Sequence, residues 1–175
     1  AVVLASPPDF RIRRSTPGDT REEWTVLMRS WAAAYAHLFD AERIRRVWTG
    51  GGHCEMPWAA ERVARLGSWL AFRHGRIVGS AGLHLRADGQ AELSHLYVLP
   101  EHHGRGIGAG LLQVVGDIAR ARGAPALLVW VLERTPAVDF YRGQGACEVG
   151  RATFVVDGQP APALALRLGL ASALR

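Results

Sequence analysis

A glycine-rich loop at residues 104–108 is the stretch of this chain whose residue types best suit chemistry. It follows a strand-like run at residues 91–99 and opens into a helix-like run at residues 111–122. Glycines at the start of a helix expose several backbone N–H groups, with the positive end of the helix dipole behind them, so the loop suits a pyrophosphate. A Gly-x-Gly-x-Gly pattern alone more often marks a tight turn, but its place between a strand and a helix favours a binding loop.

The loop belongs to a longer segment, residues 96–112, with the sequence LYVLPEHHGRGIGAGLL. This segment resembles the acetyl-CoA-binding motif of the GNAT superfamily of N-acetyltransferases, whose pattern is Gln/Arg-x-x-Gly-x-Gly/Ala. Gly106 and Gly108 match the pattern, whereas His103 stands where Gln or Arg is usual. The shorter His side chain changes the reach at this position and leaves the backbone groups of the loop in place.

A second landmark follows at residues 137–145, with the sequence AVDFYRGQG. It is similar to the Ala-x-x-Phe-Tyr-x-x-x-Gly helix of the same superfamily. Arg134 stands three residues before the first Ala, where the superfamily often has Asn. The two motifs and the strands around them extend over residues 68–168, more than half of the chain. The resemblance implies an N-acetyltransferase that uses acetyl-CoA as its co-substrate.

The resemblance also implies which residues hold the cofactor. In the superfamily, the strand before the loop separates from its neighbour and pairs through its backbone with the pantetheine arm, a role that falls to Leu96 and Val98. Backbone N–H groups of the loop would hold the pyrophosphate, with a charge-assisted contact from Arg105. The cofactor-binding residues expected on this basis are Leu96, Val98, His103, Gly104, Arg105, Gly106, Ile107, Gly108, Ala109, Arg134 and Tyr141.

The resemblance points to Glu92 as the catalytic base, because some superfamily members carry a catalytic glutamate at this place on the strand. An alkyl amine is almost wholly protonated at neutral pH, so a proton acceptor, acting directly or through water, promotes attack. An alternative interpretation, given equal weight, is that Glu92 is a residue of the hairpin whose side chain faces solvent. Ser94 and His95 are second candidates, because a β-bulge in this strand would change which side chains face the site.

Tyr141 is the expected general acid, since the tyrosine of the superfamily's Phe-Tyr pair commonly points toward the sulfur of CoA. A phenol with its ordinary pKa of about 10 carries its proton at neutral pH and can donate it to a departing thiolate. The alternative is structural, because Tyr141 also belongs to an apolar stripe with Ala137 and Phe140. In that interpretation the ring packs beneath the cofactor.

Composition is that of an ordinary globular protein, with 175 residues of which 49% are hydrophobic and 21% charged. No apolar run approaches the roughly 20 residues that cross a bilayer, so no membrane partner is expected. All 21 basic residues are Arg and the formal net charge is +5, but the arginines are scattered and no base-reading motif is evident, so nucleic acid is not expected. Cys54 and Cys147 lack metal-site spacing, which predicts free thiols, no metal and a cytoplasmic location.

Hydrophobic periodicity predicts the order strand, helices, three antiparallel strands, helix, strand, helix and two strands. It places amphipathic helices at residues 20–35 and 40–48, a short helix at residues 57–66, and a strand buried on both faces at residues 126–132. The expected fold is α+β and GNAT-like, with a mixed, mostly antiparallel central sheet of about 6–7 strands flanked by helices. One domain over residues 1–175 is predicted, with a flexible tail at residues 1–8.

The expected activity is transfer of acetyl from acetyl-CoA to a primary amine of a small molecule by direct attack in a ternary complex. Direct transfer is expected because neither cysteine lies in a recognisable nucleophile motif. The alternatives are a CoA-binding sensor or interaction module without turnover, and a protein N-terminal acetyltransferase. Neither the amine nor the preferred acyl length can be read from the sequence. The last strands leave a sheet edge that a homodimer would cover.

Overall fold

The computed structural model describes residues 9–49, 54–55 and 62–170, with the backbone alone for residues 54–55 and 62–65. The predicted tail at residues 1–8 lies outside the described residues. Within them, the elements follow the order that the hydrophobic pattern predicts, with one exception before the third strand.

Four α-helices lie in the described part of the chain, and their first residues suit helix starts. The carboxylate of Asp40 accepts the backbone N–H of Arg43 at 2.8 Å, so Asp40 caps its helix. Pro136 opens the last helix, where a missing N–H has no cost. The bounds are α1 Thr20–Tyr35, α2 Ala41–Thr49, α3 Ile107–Ala121 and α4 Pro136–Gly143.

The strands of the described residues form one sheet, in the order β1-β3-β4-β5-β6-β8-β7-β2. Every neighbouring pair is antiparallel except β5 and β6, so the sheet is mixed and mostly antiparallel, as predicted. Seven of its strands have four or more residues and β2 has two. The bounds are β1 Arg11–Arg14, β2 Cys54–Glu55, β3 Arg62–Arg73, β4 Arg76–Arg86, β5 Ala91–Val98, β6 Ala126–Leu132, β7 Cys147–Val156 and β8 Gln159–Gly169.

The short helix predicted at residues 57–66 is wrong over its second half, because β3 already begins at Arg62. Residues 57–61 lie outside the described residues. Two register shifts against β4, between Arg62 and Ala64 and between Arg65 and Gly67, interrupt the regular pairing here. Register shifts of this kind accompany a sequence that lacks the regular period of two by which a strand is recognised.

The helices cover opposite faces of the sheet, as the alternation along β3 demonstrates. Trp69 and Ala71 belong to the large core cluster that includes Leu111 and Val115 of α3. Leu70, between them in sequence, packs instead in a second cluster with Val26 of α1. Since successive strand residues point to opposite faces, α1 and α3 lie on different sides of the sheet.

Two irregularities of β5 prepare the site. First, β5 pairs with β6 only over the three residues that begin at Ala91 and end at Leu93, and the two strands then separate. Second, Gly82 of β4 lies opposite His95 while the next residue, Leu83, lies opposite Leu93, so Ser94 is an extra residue in β5. The β-bulge that the sequence allowed is therefore present, just where the ladder to β6 ends.

Candidate active site

A cleft of about 910 Å³ occupies the gap between the separating ends of β5 and β6. Its walls come from α1, the bulged half of β5, the glycine loop, the end of β6 and the start of α4. Its size is that of an ordinary small-molecule site. Of the residues predicted to bind the cofactor, those that line the cleft are Leu96, Val98, His103, Gly104, Gly106, Ile107, Gly108, Ala109, Arg134 and Tyr141.

The glycine loop has a backbone that other residues would rarely adopt. Gly104 and Gly106 have φ angles of 72° and 75°, in the left-handed region, and a Cβ on either would meet no atom within 4 Å. The first intrahelical bond of α3 runs from the N–H of Gly110 to the carbonyl of Gly106 at 2.9 Å. The N–H groups of the preceding first turn have no intrahelical acceptor and point out of the helix end. This arrangement fits a pyrophosphate held by backbone donors.

The side of β5 that faces away from β4 borders the cleft beyond Leu93. Leu96 and Val98 pair with Ala81 and Gly79 of β4 on the other side. Because the ladder to β6 has ended, the cleft side of this backbone offers strand-type hydrogen-bonding groups to an extended ligand. The pantetheine position expected from the sequence lies along this side of β5, where the carbonyl of Val98 already accepts from His103.

The two departures from the superfamily pattern have specific contacts. His103 places Nε2 2.8 Å from the carbonyl of Val98, and since a carbonyl only accepts, Nε2 carries the proton. His103 therefore ties the loop to the end of β5. Arg134 has a φ of 60°, unusual for a non-glycine residue, and its carbonyl lies 2.7 Å from Nε2 of His37. Arg105 is exposed and is not among the cleft-lining residues described.

Tyr141 lies at the inner end of the cleft and is only 4% exposed. Its ring meets Phe140 edge to face, with centroids 5.0 Å apart. Burial raises the pKa of the phenol well above its ordinary value, and the nearby Tyr35 adds to the rise. Tyr141 therefore keeps its proton throughout the ordinary pH range, so its hydroxyl can donate a hydrogen bond to a bound ligand.

Glu92 lies on β5 before the bulge and is 1% exposed, so the solvent-facing interpretation is wrong. Its Oε2 lies 3.3 Å from Nη1 of Arg86 on the adjacent strand. The cleft-lining residues of β5 begin one position later, at Leu93. The structure thus brings Tyr141 and the glycine loop to the cleft, and it places Glu92 beside the cleft in a buried ion pair.

A buried polar chain that the sequence analysis did not find runs from the cleft to α1. His95 lines the cleft, and its Nε2 lies 2.9 Å from Oγ of Ser80 on β4. Ser80 donates to Oε1 of Glu23 at 2.8 Å, and Ser15 donates to Oε2 of Glu23 at 2.9 Å. Glu23 and Ser80 are separated by 57 residues in sequence, and only the packing of α1 on β4 brings them together.

Polar atoms on the α1 side of the cleft face the same space. The hydroxyl groups of Tyr35 and Tyr97 lie 3.2 Å apart, and the rings of Tyr97 and His95 are stacked at 6.5 Å. Oγ of Ser30 is buried in the cleft wall with no hydrogen-bond partner among the described residues. A buried hydroxyl without a partner is costly unless a ligand or water meets it, so Ser30 is suited to contact a bound substrate.

Most aromatic residues of α1 and α2 serve the core. Trp31 stacks on Phe39 with centroids 5.9 Å apart and meets Trp48 edge to face at 6.1 Å.

Within the described ranges, no group of three or more His, Cys, Asp or Glu side chains could hold a metal ion. None of the helices described there is long and apolar enough to span a membrane.

Comparisons with known proteins agree with this architecture. The model of the acetyltransferase (GNAT) family matches residues 24–146. An uncharacterized N-acetyltransferase of Mycobacterium tuberculosis is 42% identical over 89 residues, which are 49% of this chain and 56% of that protein. The alignment thus spans little more than half the length of the curated relative.

Solved structures share the fold. A GCN5-related N-acetyltransferase from Rhodopseudomonas palustris superposes with a TM-score of 0.72 at 22% identity, covering 97% of this chain and all of that one. The PaiA N-acetyltransferase of Thermoplasma acidophilum, solved with coenzyme A, gives a TM-score of 0.66 at 21% identity, covering 89% and 97%.

A mixed sheet that opens between two parallel strands, with a glycine loop at the adjoining helix start, defines an acetyltransferase-type fold. The chain belongs to the acetyltransferase (GNAT) family.

Proposed function

We propose that this protein transfers an acetyl group from acetyl-CoA to a primary amine of a small molecule, by direct attack while both substrates are bound. The observation that carries the proposal is the continuity of the cleft. One space runs from the glycine loop at the start of α3, along the free side of β5, to the phenol of Tyr141. Family membership supports acetyl-CoA as the donor.

The residues present fit this co-substrate. Gly104 and Gly106 leave open space beside a helix start, where backbone N–H groups can hold a pyrophosphate. The free side of β5 at Leu96 and Val98 would pair with the pantetheine arm, and Arg105 and Arg134 would supply positive charge near phosphates. Acetyl-CoA brings an activated acetyl thioester to this place. The chain's own task is to position it and to handle protons.

Tyr141 is the proposed general acid, through a hydrogen bond to the departing sulfur. Because its pKa is raised, complete proton transfer from the phenol to a thiolate is uphill unless another proton replaces the one that leaves. While it is still protonated, the phenol stabilises the negative charge that develops on sulfur through its hydrogen bond. A backbone N–H of β5 would similarly polarise the thioester carbonyl.

Direct transfer is supported by the place of the cysteine whose side chain is described. Cys147 is exposed at the start of β7 and is not among the residues that line the cleft. The catalytic base expected from the sequence, Glu92, stays a prediction, and its burial beside Arg86 gives it no described contact with the cleft.

We also propose a cytoplasmic location and a homodimer. An exposed thiol at Cys147 is typical of a reducing compartment, which supports a cytoplasmic location. Among the described residues, β2 pairs with β7 at Val155 and Val156, which leaves the rest of the β7 edge for a homodimer contact, and Val149 on it is 54% exposed. Sedimentation of the pure protein would test the dimer.

The function is tested by release of the CoA thiol across a panel of amines, with alanine-starting peptides in the same panel. Release that depends on a small amine would support the proposal. Release with peptides alone would favour a protein N-terminal acetyltransferase. Acetyl-CoA binding without release from any acceptor would favour a sensor without turnover.

A further inference from the structure

We propose that His95 accepts the proton of the attacking amine through Nδ1, and that Ser80 and Glu23 are positioning residues that orient its ring. This inference rests on the proposed transferase function. The observation behind it is the hydrogen-bonded chain from the cleft to α1, with distances of 2.9 Å from His95 to Ser80 and 2.8 Å from Ser80 to Glu23.

The direction of the protons along this chain follows from what each group can donate. A hydroxyl has one proton, and a carboxylate only accepts, so the Ser80 proton is committed to Oε1 of Glu23. Oγ of Ser80 must then accept from Nε2 of His95. The neutral ring is therefore the Nε2–H tautomer, and its basic lone pair is on Nδ1.

Glu23 is held as an acceptor from both sides. Ser15 donates to Oε2 at 2.9 Å and Ser80 to Oε1 at 2.8 Å, while Glu23 is 8% exposed and Ser80 is fully buried. Both carboxylate oxygens of Glu23 thus accept hydrogen bonds, and the low polarity around them strengthens the interaction of Glu23 with a positive ring nearby. An imidazolium formed at His95 is thus stabilised through Ser80.

Nδ1 of His95 lies on the side of the ring next to Gly82 of β4. It lies 3.3 Å from Oγ of Ser94, and both residues line the cleft because the bulge turns them to the same side. The ring of Tyr97 stacks beside His95 at 6.5 Å. An amine in the cleft can therefore pass its proton to Nδ1 directly or by way of the Ser94 hydroxyl.

The proton balance closes with Tyr141. As the bond from the amine nitrogen to the acetyl carbon forms, the nitrogen loses a proton to Nδ1 of His95. The electron pair of the broken carbon–sulfur bond leaves on sulfur, which takes the phenol proton of Tyr141 while the imidazolium proton of His95 replaces it through solvent in the cleft. The net result is one amide and one thiol, with His95 and Tyr141 restored.

Kinetics of single variants test the assignment. His95→Gln should lower kcat by about 10²–10⁴-fold, the usual contribution of a positioned base. Ser80→Ala and Glu23→Gln should lower kcat by about tenfold or more while the KM for acetyl-CoA stays near its starting value. The matched control is Glu22→Gln, the adjacent residue of α1, whose carboxylate forms a surface pair with Arg76 at 2.8 Å. It should change kcat by less than about twofold.

A spectroscopic measurement needs no acceptor. Long-range ¹H–¹⁵N NMR of the imidazole rings, with His95→Gln to assign the signal, should find His95 as the Nε2–H tautomer in the starting protein. Ser80→Ala should remove that preference. The Nδ1–H tautomer in the starting protein would overturn the proposed proton direction, even if transfer occurs.

The two proposals fail in distinguishable ways. A starting protein that binds acetyl-CoA and has the Nε2–H tautomer, but acetylates no amine, would overturn the transferase and with it the catalytic role of His95. Amine-dependent turnover that is unchanged in a folded His95→Gln variant would overturn this inference alone. Loss of activity in Glu92→Gln with full activity in His95→Gln would return the role of base to Glu92.

Discussion

Gly82 leaves the space in which the ring of His95 lies. A Cβ on Gly82 would come 2.6 Å from Nδ1 of His95 and would also overlap Oγ of Ser94. The two residues face each other across the β4–β5 ladder at the bulge. The absence of a side chain on β4 is therefore what allows the bulge to turn both polar side chains onto one face.

Gly82→Ala should consequently displace His95 and lower both activity and stability. Overpacking a close contact typically costs about 1–3 kcal/mol, which for a domain of this size lowers Tm by roughly 2–12 °C. Gly143→Ala is the control, because a Cβ there meets no atom within 4 Å and the residue lies in α4. Calorimetric melting should separate the two, and equal Tm values would argue against the close contact.

Gly106→Ala and Gly108→Ala should differ, although both lie in the same loop motif. Gly106 has a φ of 75°, where alanine is strained by about 1–2 kcal/mol, and we expect Kd for acetyl-CoA to rise about tenfold. Gly108 is helical, and its added Cβ would meet Phe140 at 3.5 Å, an ordinary contact. Its Kd should change by less than about threefold. Titration calorimetry measures both, and a reversed order would contradict a backbone cradle at Gly106.

Tyr141→Phe should lower kcat by about 10²-fold and leave the KM for acetyl-CoA nearly unchanged, because only a proton donor is lost. The raised pKa of the phenol means that its protonated form persists as pH rises past the ordinary tyrosine value of about 10. Ionisation of Tyr141 should therefore cause no fall of kcat up to about pH 9.5. The pH profile of kcat checks this. If kcat of the starting protein fell below pH 9.5, and Tyr141→Phe did not show that fall, the result would contradict a raised pKa of Tyr141.

Arg86→Gln should destabilise the fold by about 3 kcal/mol, because it removes the cation beside the buried carboxylate of Glu92. Arg76→Gln is the comparison, since Arg76 pairs with Glu22 while its own side chain is 79% exposed, and its loss should cost less than about 1 kcal/mol. Urea unfolding of the two variants measures the difference. Similar losses would mean that burial adds little to the Arg86–Glu92 pair.

Local patterns predicted much of the fold. The strand at residues 126–132 was predicted with the bounds that it has, because an unbroken apolar run delimits it. α1 also matches, since its apolar residues recur at helical spacing. At the start of β3, where register shifts interrupt the pairing with β4, the hydrophobic pattern predicts a helix and the structure has a strand.

The polar part of the site could not be predicted in the same way. The glycine loop and Tyr141 lie in motifs of fixed spacing, so both could be predicted as site residues from the sequence. Ser80 and Glu23 carry none, and their contact depends on how α1 packs across β4. The direction in which Ser94 and His95 point depends on a one-residue bulge. Such a bulge moves the following side chains to the other face of the strand, and no residue pattern in the sequence indicates it.

Binding and transfer are tested together by titrating acetyl-CoA into the protein in a calorimeter and then measuring thiol release on adding amines to the same preparation. We expect saturable binding at one site per chain, weakened in Gly106→Ala, followed by amine-dependent release of CoA. An absence of binding by a folded protein would contradict the account at its root, and the loop before α3 would then be an ordinary turn.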